Sequence, residues 1–156
     1  MNHANQAIFE DRYKAFLYEF GKGKKMVLST SLQDHVTSRM MSVVQREGLF
    51  YFQTDRETRK YRQLSGNPHV ALCMENIQIE GLCREMGRPL ENSEFCRLYE
   101  ECFTGSYQRY SALEKERLFA VTPLFIERWL YLEGKPFVEE MDVEKQIYMR
   151  REYVCS

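Results

Sequence analysis

At 156 residues and 44% hydrophobic composition, the chain has the length of one ordinary domain and enough apolar side chains for a packed core. Its 22 basic and 23 acidic residues nearly cancel, which excludes a global field able to gather nucleic acid or an anionic membrane, so any anion site has to be local. Charges interrupt every apolar run before it approaches the ~20 residues of a membrane-spanning helix.

In chain order, Ile8, Phe9, Tyr13, Phe16, Leu17 and Phe20 recur at three- and four-residue intervals, which predicts a helix with one apolar face that stops at Gly21. Beyond the basic turn Lys22 to Lys25, Met26 to Thr30 is a β-favouring run and Ser31 to His35 reads as a polar loop. Val36 to Gln45 is a second strand in which Met41 and Val43 alternate with Met40, Ser42 and Val44, so both faces are covered, as in a barrel wall. Arg46-Glu47-Gly48 reads as a hairpin turn and Leu49 to Thr54 as the returning antiparallel strand.

Thr54 or Asp55 is then expected to accept N–H groups at the head of a short helix from about Thr58 to Leu64, ended by Gly66-Asn67-Pro68. His69 to Met74 and Ile77 to Met86 are two further strands around a tight turn at Glu75-Asn76, with a bulge or close backbone approach at Gly81. A helix over Asn92 to Phe103 and a polar segment through Lys115 precede a last β-rich run, Leu118 to Tyr131, in which Pro123 belongs at an edge or a bulge. Six strands with helices outside them make a mainly β (α+β) fold, a six-stranded antiparallel barrel over residues 1–142. Residues 143–156 are expected to be a tail of uncertain order, and Glu139, Glu140, Asp142 and Glu144 a solvated acidic stretch.

The chemistry concentrates in Thr54-Asp55-Arg56-Glu57-Thr58-Arg59-Lys60, which puts a hydroxyl, a guanidinium and an ammonium at a helix N-terminus just after a strand. Free N–H groups and the positive end of the helix dipole favour an anion there, Arg adds a bidentate fork and Lys a point charge. Arg39 on the preceding strand is a candidate second guanidinium, and the hairpin backbone from Met40 to Val43 and at Gln53 and Thr54 suits a flat heteroaromatic ring. Taken alone, a basic cluster at a helix start is more often a solvated face.

The arrangement goes further. Arg39-Met40-Met41-Ser42-Val43-Val44, Phe52-Gln53-Thr54, Thr58-Arg59-Lys60 and Asn67-Pro68-His69-Val70-Ala71-Leu72, with Leu28-Ser29-Thr30-Ser31 ahead of them, resemble in order and spacing the pyridoxamine 5′-phosphate oxidase-like family of FMN-binding split barrels. The resemblance spans roughly Met26 to Gly81. It implies that Arg39, Arg59 and Lys60 bind the phosphate of flavin mononucleotide (FMN), with Thr58 as a further phosphate ligand and Thr54 on the flavin or its ribityl chain. Met40, Met41 and Ser42 would run under the isoalloxazine ring, with Gln53 beside it. It further implies a homodimer with FMN at the interface, each site completed by the partner, with Asn76 or Gln78 as candidates.

Two departures separate the chain from the vitamin B6 enzyme. Val44 stands where the oxidase has a lysine for the substrate phosphate, and the terminal segment Arg150 to Ser156 lacks the arginine- and histidine-bearing motif that holds the pyridoxal ring. The resemblance therefore implies an oxidase-like flavoprotein, an NAD(P)H-dependent oxidoreductase or flavin reductase acting on a small-molecule acceptor, with no side chain needed as acid or base. The alternative is a non-catalytic flavin- or haem-binding carrier, sensor or stress protein on the same fold.

Other residues carry blander readings. His3, His35 and His69 and the five cysteines show no metal-ligand spacing, and Cys96 and Cys102 fall on different faces of one helix. Five thiols without a C-x-x-C pair, behind an N-terminus without a secretory apolar run, suit a reducing cytoplasm. Phe125, Trp129, Tyr131 and Phe137 form an aromatic-rich end suited to core or interface. A nucleic-acid barrel using Arg56, Arg59, Lys60 and Arg62 is opposed by the near-zero net charge.

Overall fold

The structure, a computed structural model, describes residues 3–155. Helix α1 (His3–Phe20) buries Phe9, Phe16 and Phe20, seven and four residues apart, and leaves Ile8 in solvent, so its apolar face is narrower than expected. Gly21, at φ +84°, ends it by sending its N–H back to the Leu17 carbonyl.

Strands β1 (Gly23–Leu32) and β2 (His35–Arg46) pair antiparallel from Gly23↔Val44 to Leu32↔His35. The polar segment Ser31 to His35 is therefore no loop. Gln33 and Asp34 alone make the turn, both at positive φ, which the short side chain of Asp34 tolerates, and the strands run right up to it. Glu47 and Gly48 make the same kind of turn into β3 (Leu49–Asp55). After α2 (Arg59–Gly66) come β4 (His69–Met74) and β5 (Ile77–Glu85), hinged at Glu75 and Asn76.

Helices α3 (Ser93–Cys102) and α4 (Thr104–Tyr110) follow. α4 lies in the segment expected to be merely polar; it buries none of its residues, so it has no apolar stripe to read. The long β6 (Glu116–Leu132) pairs through its first half with β3 and along β5, then continues outward to β7 (Lys135–Asp142) and β8 (Ile147–Glu152). The order β3-β2-β1-β4-β5-β6, closed by β3–β6, is a six-stranded antiparallel barrel, and β7 and β8 extend its wall. Gly81 and Pro123 mark one feature: the β5–β6 register slips between Glu80↔Phe125 and Gly81↔Pro123, a bulge that turns β6 between its two partners. A Cβ at Gly81 would lie 2.6 Å from Val121 Cγ1 and 2.8 Å from the Thr122 carbonyl oxygen, so the close approach needs glycine.

Met26, Leu28, Phe50, Phe52, Leu72, Ile79, Val121 and Ile126 fill the barrel, and α1 packs on this core through its three buried phenylalanines. A second, smaller cluster of Val44, Phe95, Tyr99 and Leu118 lies outside the wall, under α3.

The C-terminal region differs most from expectation. Glu133 and Gly134 form a hairpin turn at positive φ, and β8 occupies part of the segment read as a tail. Glu139 is 3% exposed, not solvated: it accepts from Arg128 Nε at 2.5 Å and from Tyr148 Oη at 2.6 Å, while Arg128 also reaches Glu19 on α1 at 3.0 Å. Pairing is the condition on which a buried carboxylate is tolerated, and here it ties α1 to the β6–β8 extension. Trp129 and Tyr131 are exposed rather than core, Trp129 packing at 5.1 Å on Tyr153. Cys96 and Cys102 are half-buried free thiols.

Candidate functional site

The site grows from the β2–β3–α2 corner. Arg39 stands opposite Leu28 on β1, and its Nη1 donates to the Leu28 carbonyl at 3.1 Å and to Thr30 Oγ1 at 2.8 Å, while Nη2 donates to Thr37 Oγ1. Both threonine hydroxyls then donate to Gln63 Oε1 on α2, at 2.7 and 2.6 Å. The buried Gln63 thus docks α2 against the strands that hold Arg39. Of the five N–H donors of a guanidinium, Nε and one hydrogen of Nη2 stay uncommitted.

Arg59 and Lys60 open α2. The helix is capped by Thr58, whose hydroxyl accepts from Tyr61 N at 3.4 Å and donates to the Asp55 carbonyl at 2.8 Å. The expectation that Thr54 or Asp55 caps the helix is corrected: Asp55 Oδ1 accepts from Glu57 N at 2.7 Å inside the turn, three residues too early to reach the helix head. Thr54 instead meets the cap, its Oγ1 lying 3.3 Å from Thr58 Oγ1.

Electrostatics shows that the three cations share one neighbourhood. Burial, then the charge of Arg59, lowers Arg39; burial, then the charge of Arg39, lowers Lys60, against the pull of Glu116 and Asp55. Among the described residues no carboxylate comes within ion-pairing distance of Arg39, Arg59 or Lys60, whereas Lys22, Arg46, Arg56, Lys115, Arg117, Arg128 and Arg151 are all paired. Arg39 and Lys60 are partly desolvated beside a like charge and hold no ion pair, a set of donors whose chemistry suits an anion.

The strand residues divide by face. Met40, at 61% exposed, and Ser42 lie on the outer wall, while Met41 faces inward against the core, so a ring on the outer wall meets only the backbone of Met41. Ser42 is buried under Tyr99 of α3 and hydrogen-bonded to it, and Tyr99 Oη lies 2.8 Å from Ser106 Oγ. Gln53 is also covered: its Oε1 accepts from Ser111 Oγ at 2.7 Å, and its Nε2, in a residue 6% exposed, has no partner. An orphaned buried donor is costly and stands ready for an acceptor.

The structure therefore brings together Arg39, Thr54, Thr58, Arg59 and Lys60. It sets Ser42 and Gln53 beneath α3 and α4, and Met40 apart from them in solvent. Sequence reasoning missed Thr30, Thr37 and Gln63, which position Arg39, and Glu116, the buried cross-strand partner of Asp55, whose carboxyl is pushed up to about 7 by burial and then by Asp55, with Lys60 opposing. Only the strand register, absent from any local motif, reveals them. His35 and His69 are exposed, and Asn76 donates to the Trp129 carbonyl at 2.7 Å. Among the described residues no three metal-ligating side chains gather, and no helix is long and apolar enough to cross a membrane.

Barrel and cation cluster together define a split-barrel protein with three cations, none of them ion-paired among the described residues, at one corner. The chain belongs to the pyridoxamine 5′-phosphate oxidase family, whose model matches residues 9–130. No curated protein matches it. Among solved structures it is similar to an FMN-binding, pyridoxamine 5′-phosphate oxidase-related protein from Nostoc punctiforme, with 11% identity, 98% of this chain and 96% of that one covered, and a TM-score of 0.59. It is similar also to General Stress Protein 26 from Bacillus anthracis, with 22% identity, coverage of 69% and 84%, and a TM-score of 0.54. HutZ, the heme storage protein of Vibrio cholerae, matches at 19% identity, coverage of 74% and 89%, and a TM-score of 0.57. At these identities the likeness is one of fold.

Proposed function

We propose that the protein is an FMN-binding flavoprotein in which Arg39, Arg59 and Lys60 hold the cofactor's phosphate and Thr54 and Thr58 supply hydroxyl ligands. The observation that carries this reading is the cluster itself: burial and a neighbouring cation lower Arg39 and Lys60, Arg59 stands exposed beside Arg39, and none of the three is ion-paired to a carboxylate among the described residues. A phosphate dianion supplies the missing charge, and the two free hydrogens of Arg39 match its oxygens. The unpartnered Gln53 Nε2 and the β2 backbone at Met40, Met41 and Ser42 are the groups for the ring's polar edge. Family membership supports a flavin over other phosphates.

When bound, FMN supplies the redox chemistry. The chain's part is to fix the phosphate, orient the ring and tune it through hydrogen bonds. We read the activity as that of an NAD(P)H-dependent oxidoreductase or flavin reductase of the cytoplasm. We read its assembly as a homodimer, since Val36, Met40 and Leu82 are exposed on the outer wall beside a cavity of about 330 Å³ lined by Ser29, Ala71, Gly81 and Phe125 among others.

Titration of the purified protein with FMN, followed by quenching of flavin fluorescence, tests the reading: saturable binding with riboflavin far weaker is expected, and equal affinity for both refutes phosphate recognition. Bleaching of the bound flavin by NADH or NADPH supports turnover, whereas an inert flavin makes the protein a carrier. A Soret band on adding hemin, without flavin binding, would move the assignment to haem. Sedimentation of a dimer is expected.

A further inference from the structure

Glu116 opens β6 directly across from Asp55, the last residue of β3 before the turn into α2. It is only 5% exposed. The Asp55 carbonyl accepts from Thr58, the cap of the helix that Arg59 and Lys60 open, so the strand pairing sets Glu116 beside the head of α2; the charges that act on it are Asp55 of β3 and Lys60 of α2, it acts in turn on Tyr99 of α3, and Lys60 also feels Arg39 of β2. The other charges nearby are engaged elsewhere: Lys115 with Glu57 at 2.8 Å, Arg117 with Glu85 at 3.6 Å and Arg56 with Glu114 at 3.5 Å. Lys60 is thus shared between a buried carboxyl on one side and the positive corner on the other. It cannot serve as counter-ion to Glu116 and to an incoming dianion at full strength at once.

We propose that Glu116 takes up one proton from solvent when a phosphate dianion enters the Arg39–Arg59–Lys60 cluster, so that anion capture and neutralisation of this carboxyl are one event. The inference rests on the reading of that cluster as the FMN phosphate site and adds its regulation. Before binding, Lys60 is what favours the ionised carboxylate against burial and Asp55. A dianion beside Lys60 cancels that support and adds repulsion, leaving the neutral acid as the stable form. By linkage, affinity then falls up to about tenfold for each pH unit above neutrality, over the range where the free protein has lost this proton and the complex retains it. The second ionisation of a phosphate monoester, near pH 6, acts in the opposite sense and is complete before that range.

The test counts protons. Calorimetric titration of FMN into wild-type protein at pH 8, in two phosphate-free buffers of different ionisation enthalpy, is expected to show close to one proton taken up per FMN bound. Glu116→Gln is expected to bind FMN with an uptake smaller by close to one proton and with an affinity that depends less steeply on pH from 7 to 9, any remainder belonging to Lys60; circular dichroism verifies its fold. FMN binding without uptake in the wild type, or equal uptake in the variant, overturns the proposal. Absence of FMN binding at every pH overturns instead the cofactor reading, and the same proton count is then taken with inorganic phosphate, where lack of uptake overturns the coupling as well.

Discussion

Arg59→Ala separates an anion site from a solvated basic face, because Arg59 has no protein partner to lose. Its side chain is exposed and enters no ion pair, and its charge helps to lower Arg39. Alanine at the first turn of a helix is well tolerated, so the free protein's stability is expected to stay within about 0.5 kcal/mol of wild type, with any change a gain from relieved repulsion. Binding responds differently. One bidentate, charge-assisted contact to phosphate contributes about 1.5–3 kcal/mol, which at ~1.4 kcal/mol per decade is a loss of about 10- to 150-fold in FMN affinity. The two halves are read together by fluorescence titration at fixed ionic strength and by melting with and without FMN. At one hundred times its dissociation constant FMN stabilises the wild type by about 2.7 kcal/mol; at the same concentration a variant weakened a hundredfold gains only about 0.4 kcal/mol. Unchanged affinity would refute the site, and a drop of more than ~1 kcal/mol in the free protein would make Arg59 structural.

Arg39→Met is expected to act on both quantities, losing about 1–3 kcal/mol of stability with its three hydrogen bonds and weakening FMN by a similar factor to Arg59→Ala; chemical denaturation and FMN titration measure them. Gly81→Ala is expected to cost about 1–3 kcal/mol by pushing Val121 and the Thr122 carbonyl out of the bulge, seen as a lowered melting temperature. Glu139→Leu strands Arg128 with only Glu19, at or below the ~3–5 kcal/mol cost of breaking a buried pair, and denaturant unfolding reads it. For Glu116 the folded pKa, about 7, lies above the 4.5 of an ordinary glutamate, so the folded state holds the extra proton; stability is fully present below about pH 4.5 and is lost as pH rises through 7. Glu116→Gln should therefore match wild type in acid and exceed it at pH 8 by on the order of 2–3 kcal/mol, measured by urea unfolding at the two pH values.

The barrel was legible wherever a strand alternates or a turn carries glycine: β3 after Glu47-Gly48 and β5 with its Gly81 bulge come straight from local chemistry. β7 was not, because beside Val138 and Met141 one of its buried residues is charged. Glu139 reads as solvent-facing until Arg128 and Tyr148, eleven and nine residues away in sequence, are brought onto it by strand pairing. α4 was hidden for the opposite reason, having no buried face to set a period. At the candidate site, Arg39, Arg59 and Lys60 were singled out from residue type and from the family resemblance, and the cap was misplaced because Asp55, a strong turn former, makes its bond within the turn while Thr58 starts the helix. Gln63 and Glu116 were out of reach. Their roles depend on which strand lies opposite, a long-range fact.

The three cations are held in different ways, which on the proposed phosphate site would give them different parts in capture. Arg39 cannot swing into solvent to escape its neighbours, because three acceptors from β1 and β2 hold its guanidinium and Gln63 locks two of those acceptors to α2. Its repulsion with Lys60 is therefore built in during folding and is present before any anion arrives. Such preorganisation costs stability in the free protein and spares reorganisation on binding. Arg59, exposed and untethered, has no such constraint; its reach into solvent suits it to drawing the anion in and closing over it. Lys60 lies between, half-buried, dividing its charge between the corner and Glu116. On the proposed phosphate site, a rigid fork, an exposed fork and a shared point charge would together attract, seat and neutralise the anion.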